Sequence, residues 1–367
     1  LVCTTSIDDL LAKVKGCTLR ETSTHRVIGS AFNVALAFLL IIVVASLAIG
    51  AYLWSSRKST LSAEHLDQVT IATNIDYIGT CPVVVAHDKG FFTTEGILAI
   101  VQPYSSGKAS MDAVLTGQAD IGTVADIPIM FAGMNDQHIS VIATIFKTEK
   151  DHGIVGRRDR GIENPVNLKG KRIGVTLSTS GHFALDAFLN RQRLSPGDVE
   201  MRNYPPEELS HALARGDVDA VATWEPYLAT MRGELGNNSI TFFGQDIYES
   251  LYSIAGMREY VTTHPETVKK LLRALTAGAQ YCSEHPNAAH QLADKEIKAD
   301  DAKGKVEQRP YQFDVVLDQS LLLALEDEAR WAIKNKMSNR KRVPNYLNYV
   351  YLDGLESVAP EAVTIIH

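Results

Sequence analysis

From Val27 to Trp54 the chain runs 28 residues without a charged side chain. A helix needs about 20 apolar residues to cross a bilayer core, so this run predicts one membrane-spanning helix with room for tilt. A core helix of that length would carry a polar stripe, and the apolar part of a cleavable signal is only about 7–15 residues. An uncleaved anchor over 27–54 is therefore expected. Lys13, Lys15, Arg20 and Arg26 precede it, which by the positive-inside tendency places a short N-terminus, 1–26, in the cytoplasm. Tyr52, Trp54, Arg57 and Lys58 mark the far interface. A polar linker over 55–65 follows, and the rest of the chain is expected on the periplasmic or outer side.

That remainder is long enough for two domains. With 45% apolar and 22% charged residues, the chain has the composition of a globular protein. A net charge of −7 argues against a nucleic-acid partner, which wants a basic face. It does not exclude a small anion, whose site sets its own local field. Cys3 and Cys17 precede the apolar run, and Cys81 and Cys282 follow it. If the membrane separates them, Cys81 and Cys282 alone share an oxidising space. Spacing leaves open whether they pair or are two small buried side chains. With no C-x-x-C, H-E-x-x-H, G-x-S-x-G or phosphate-loop motif, no metal, cofactor or catalytic apparatus is expected.

After the linker, strand and helix patterns alternate. Strands are expected at Val69–Thr73, Ile97–Val101, Ala119–Val124 and Ile139–Phe146, with helices at Pro82–Lys89, Lys108–Thr116 and Ile127–Gly133 between them. The pattern restarts with strands at Ile173–Thr176, Val199–Asn203, Val218–Thr223 and Ile240–Phe243, and helices at His182–Arg193 and Pro206–Arg215. Pro265–Glu284, Pro286–Ala293, Val315–Lys336 and Tyr346–Leu355 read as helices. Such alternation predicts α/β architecture with largely parallel sheets.

Several segments in fixed order carry a resemblance: Pro82–Gly96 with its K-G-F-F and E-G, Tyr104–Gly107, Leu115–Thr123, Leu168–Val175, Ser178–Phe183, Leu213–Ala220 and Trp224-Glu-Pro226. Residues 68–290 resemble the nitrate/sulfonate/taurine-type substrate-binding proteins of ABC importers, including the thiamine-pyrimidine-precursor binders. The resemblance implies the periplasmic-binding-protein type II fold: two α/β lobes joined by a two-crossing hinge. Lobe one would comprise 66–150 plus 244–367, and lobe two 151–243. It also implies binding of an anionic or zwitterionic solute in the interlobe cleft and delivery to an ABC permease. A membrane-anchored ligand sensor and a pyrimidine-precursor binder are the alternatives. A synthase of this fold carries a cysteine-rich motif that is missing here, so a non-enzyme is expected.

Helix N-termini and hydroxyls hold a small oxyanion without a full positive charge. Ser105, Ser106 and Gly107 precede one expected helix; Ser178, Thr179, Ser180, Gly181 and His182 lead into another. Facing each other, they would grip one anion from both sides, although the same hydroxyls also serve as ordinary caps. Asn74 and Tyr77 follow the first strand, and Thr123 and Asp126 the third, at the carboxyl ends where α/β sheets bind ligands. Trp224 would wall the ligand's apolar part. Glu225 would accept a hydrogen bond from a donor group, and His182 would lend a donor, or a charge if protonated.

Overall fold

The computed structural model describes residues 66–244, 247–286 and 311–367. The expected anchor at 27–54, the N-terminus before it and the helix Pro286–Ala293 past its first residue lie outside the described residues. Among the described residues no helix is long and apolar enough to cross a membrane.

Two five-stranded sheets organise the chain. In the first, β1 (Asp67–Thr73), β2 (Ile97–Pro103), β3 (Ile121–Ala125) and β4 (Ile139–Thr148) are joined by helices at Cys81–Asp88, Gly107–Leu115 and Asp126–Met134. The second holds β5 (His152–Arg157), β6 (Arg172–Val175), β7 (Glu200–Asn203), β8 (Ala220–Trp224) and β9 (Ser239–Phe243); β10 (Ser250–Met257) returns to the first. The orders β2-β1-β3-β10-β4 and β7-β6-β8-β5-β9 are the same pattern written twice. The chain passes between the sheets at 149–151 and again between β9 and β10, giving two lobes with two crossings.

The sheets are mixed, which corrects the expectation of largely parallel pairing. β10 runs antiparallel to β3 and β4, and β5 antiparallel to β8 and β9. Each is the first strand after a crossing. A chain arriving from the other lobe enters the sheet from the opposite end and needs no helical crossover to do so. Both strands are buried on both faces and contain glycine, so neither shows the alternation that marks a half-exposed strand.

Side-chain alternation builds the second lobe's two layers. Ile154, Ala220 and Ala222 point to the face covered by Leu185, Phe188 and Leu189 of the Ser180–Arg191 helix. Their neighbours Val155 and Val221 point to the other face, toward Leu209, Leu213, Leu228 and Met231. In the first lobe the Pro265–Glu284 helix buries Val268, Leu271, Leu272, Leu275, Ala279 and Cys282, one stripe at helical spacing. It lies so close to Cys81–Asp88 that a Cβ on Gly278 would sit 2.2 Å from the Pro82 carbonyl oxygen. A Cys81–Cys282 disulfide locks the same two helices, with Cα atoms 6.2 Å apart.

Two C-terminal expectations need correction. The helix expected over Val315–Lys336 begins only at Gln319, capped by Asp318, whose side chain accepts from Ser320 N–H. Val316 instead bridges Thr144 of β4. The helix expected over Tyr346–Leu355 is broken into a 3-10 turn, Tyr346–Tyr349, and a short helix, Leu352–Glu356. Between them Val350 bridges Val141 of β4, and Tyr351 N–H donates to the Val141 carbonyl. β4 is the last strand of its sheet, and these segments supply the partners its open edge lacks.

Candidate functional site

The lobes meet around a cavity with about 350 Å³ of empty space, counting its opening to solvent. From the first lobe it is lined by Asn74, Tyr77, Ser106, Gly107, Lys108, Ala125, Pro128, Ser250 and Tyr252; from the second by His152, Thr179, Ser180 and Trp224. Most of these residues follow the carboxyl ends of β1, β3 and β8 or open a helix, as sheet topology favours.

Two helices aim their N-termini here. Ser106 caps Gly107–Leu115: its Oγ accepts from Ala109 N–H at 3.2 Å, which leaves the hydroxyl proton free to donate. Gly107 is required by closeness, since a Cβ there would stand 2.8 Å from Tyr252 Oη and 3.0 Å from Ala125 N. Across the cavity Thr179 and Ser180 open the Ser180–Arg191 helix, with Thr179 Oγ1 donating to the Thr176 carbonyl at 2.7 Å. Asn74 is held by two bonds, Nδ2 donating to Ser105 O and Oδ1 accepting from Asp76 N–H. One amide N–H remains to it.

A continuous hydrogen-bonded chain runs from lobe to lobe. Tyr77 Oη donates to Asp151 Oδ2 at 2.5 Å; Asp151 Oδ1 pairs with His152 Nδ1 at 2.6 Å; His152 Nε2 pairs with Ser180 Oγ at 2.9 Å. All four side chains are buried. Burial first, and then the Asp151 carboxylate, raise the Tyr77 phenol well above its ordinary range, so it stays a donor. Ser250 Oγ and Tyr252 Oη are buried on the cavity wall, each without a well-formed hydrogen bond among the described residues, although Tyr248 lies beside the former and Thr123 beside the latter. Lys108 Nζ is already paired with Asp112 at 2.6 Å.

The remaining expected site residues are engaged elsewhere. The Ser105 carbonyl accepts from Asn74 and, across the lobes, from Tyr227 Oη at 3.3 Å. Thr123 shares a hydrogen bond with Thr73 inside the sheet, 2.8 Å. Asp126 accepts from Ile127 N–H, Tyr248 Oη and Leu251 N–H, pinning the second crossing rather than facing the cavity. Ser178 holds a left-handed φ of 61° and directs its N–H at His182 Nδ1, 3.4 Å. Gly181 packs on the Trp224 ring. His182 brings no charge: it is buried against Trp331, and desolvation lowers its pKa to about 4. Glu225 accepts from Ala229 N–H and pairs with Arg232 at 2.9 Å, both on the Tyr227–Leu235 helix.

Six cavity residues lay beyond sequence reading: Lys108, Ala125, Pro128, His152, Ser250 and Tyr252. The last three sit on strands that enter after a crossing, and neither strand carried a period-2 signal.

A family model described as NMT1/THI5 like matches residues 78–289. The chain belongs to this family. Among its relatives, a Bacillus subtilis protein named for binding aliphatic sulfonates is 26% identical over 271 residues, 71% of this chain and 80% of that one. The taurine-binding periplasmic protein of Escherichia coli is 26% identical over 209 residues, 56% of this chain and 64% of its own length. In structure, the alkanesulfonate-binding protein of Xanthomonas axonopodis, bound to MOPS, superposes with a TM-score of 0.68 at 19% identity, covering 79% of this chain and all of that one. The Synechocystis nitrate-binding protein superposes with a TM-score of 0.65 at 12% identity, covering 81% of this chain and 89% of that one. These superpositions establish the periplasmic-binding-protein fold.

Proposed function

We propose that the chain captures a small organic anion of the sulfonate type between its lobes and presents it to an ABC permease. The observation that carries this reading is the convergence of Ser106 and Ser180, each at a helix N-terminus and from opposite lobes, on one cavity. Helix dipoles, hydroxyls and amide N–H groups supply the positive potential; Trp224 and Tyr252 supply apolar walls. Ligand contacts made by both lobes favour the lobes-together state, so binding and closure are coupled. The names of the sulfonate- and taurine-binding relatives agree with this ligand class. The Cys81–Cys282 disulfide fits an oxidising compartment, and an anchor over 27–54 would hold the lobes at the membrane. A thermal-shift screen of the full chain against alkanesulfonates, taurine, nitrate, bicarbonate and pyrimidines tests the reading. Stabilisation by a sulfonate that weakens in Ser106→Ala supports it; stabilisation by pyrimidines alone refutes the ligand class.

One observation favours a second reading. Ser180, His152 and Asp151 stand in the order and at the spacing of a nucleophile, base and orienting carboxylate. A fluorophosphonate probe decides: binding alone leaves Ser180 unlabelled, whereas acyl transfer makes it react.

A further inference from the structure

The cavity holds no cation free of an ion pair on its described wall, since Lys108 is paired with Asp112. Yet one residue there is able to gain a charge. Resting on the anion-binding reading above, we propose that the ligand binds together with one proton, and that His152 is the group that carries it into the cavity.

The argument is one of hydrogen-bond direction. Ser180 has a single hydroxyl proton. His152 Nδ1 faces an Asp151 carboxyl oxygen at 2.6 Å, so one proton lies between them, on Nδ1 when Asp151 is ionised; two bare acceptors do not approach so closely. In neutral His152, Nε2 is then an acceptor, and Ser180 spends its proton on it across 2.9 Å. Ser180 in that state turns only lone pairs toward the cavity and repels an anion. For Ser180 to donate to an anion it must instead accept from Nε2–H, and both ring nitrogens then carry protons. If the proton settles on Asp151 instead, the count is unchanged: one proton enters with one anion. A ligand with an amine or amide donor at the same place would want the neutral form.

The groups facing His152 are Asp151 from the first crossing, Tyr77 from the first lobe, Tyr248 from the second crossing with its ring 5.3 Å away, and Ser180 from the opposing helix. Asp126, at the start of its helix, also feels the imidazole, and Glu328 lies behind Asp126. His182 on the Ser180 helix stays neutral. The charged neighbours are thus carboxyls, with Lys108 neutralised by Asp112.

The test is calorimetric titration of the full chain with methanesulfonate, ethanesulfonate and taurine at pH 7.5, in buffers of different ionisation heat. Net proton uptake on anion binding is expected, with affinity falling as pH rises. His152→Gln, which keeps a donor near Ser180, should abolish the uptake and flatten the pH profile. Binding without proton uptake, or uptake that persists in His152→Gln, overturns the proposal while leaving the anion site standing. No binding of any of the three overturns it together with the reading on which it rests.

Discussion

Trp331 reaches from the first lobe to the second: its Nε1–H donates to Asp186 Oδ2 at 2.8 Å. The indole also meets the rings of His182 and Phe183 edge-on, each 5.2 Å away. Tyr227 Oη makes the counterpart contact on Ser105 O, so the lobes also touch outside the cavity. Contacts present in only one of two states bias the equilibrium by their differential free energy. Trp331→Phe removes the donor while keeping an aromatic ring. It should weaken ligand binding about 3–10-fold, equivalent to about 0.7–1.4 kcal/mol, and raise the radius of gyration of the ligand-free chain by scattering. Unchanged values in both would show that this contact does not bias closure.

Glu328 is a buried carboxyl whose nearest charged neighbour is another. Neither of its oxygens receives a hydrogen bond from a donor among the described residues. Burial first, then the adjacent Asp126 carboxyl, push its pKa well above the usual carboxylate range. A raised folded-state pKa means that ionisation above it works against the fold. Glu328→Gln removes the cost and keeps the shape. It should stabilise the protein at neutral pH by about 1 kcal/mol, about 2–4 °C in melting temperature. The gain should vanish in acid, where Glu328 is protonated. A melting temperature lowered at pH 7.5 would contradict this account.

His182 works in the opposite direction. Its pKa, lowered by desolvation from 6.5 to about 4, means that the unfolded chain binds its proton more readily than the folded one. Stability is therefore lost as pH falls from about 6.5 toward 4, by at most about 3.4 kcal/mol. In His182→Gln, denaturant unfolding across that window should show a correspondingly shallower acid loss. An identical slope would place the charge change elsewhere.

The disulfide joins positions 201 residues apart along the chain and ties together two closely packed helices of the first lobe. Cys81→Ser/Cys282→Ser should cost about 2–5 kcal/mol by denaturant unfolding, with ligand affinity little changed, because neither residue lines the cavity.

How much was legible follows from these same residues. The strand-then-helix units of each lobe were readable because β1 to β3 and β6 to β8 alternate with patterned helices. β5 and β10 were not, since a strand buried on both faces has no polar side to alternate with. Ser106, Gly107, Thr179 and Ser180 stood out through local signals: hydroxyl and glycine before a helix. His152 lies next to Asp151 in sequence, but its line to Ser180 is made only when β5 enters the second sheet beside β8. Asp126 and Glu225 illustrate the converse. Polar residues at the ends of central strands can serve a site or satisfy nearby backbone groups, and in these two the backbone bonds win. The C-terminal helices were overextended because apolar spacing continues through Val316 and Val350, which pair with the edge of β4.

The most direct test is a crystal structure of the chain with the sulfonate that stabilises it most. The account predicts the anionic group within about 3 Å of both the Ser106 and Ser180 hydroxyls, with Ser180 still bonded to His152 Nε2. A sulfonate bound outside the interlobe cavity, or one contacting a single lobe with Ser180 left empty-handed, would contradict it.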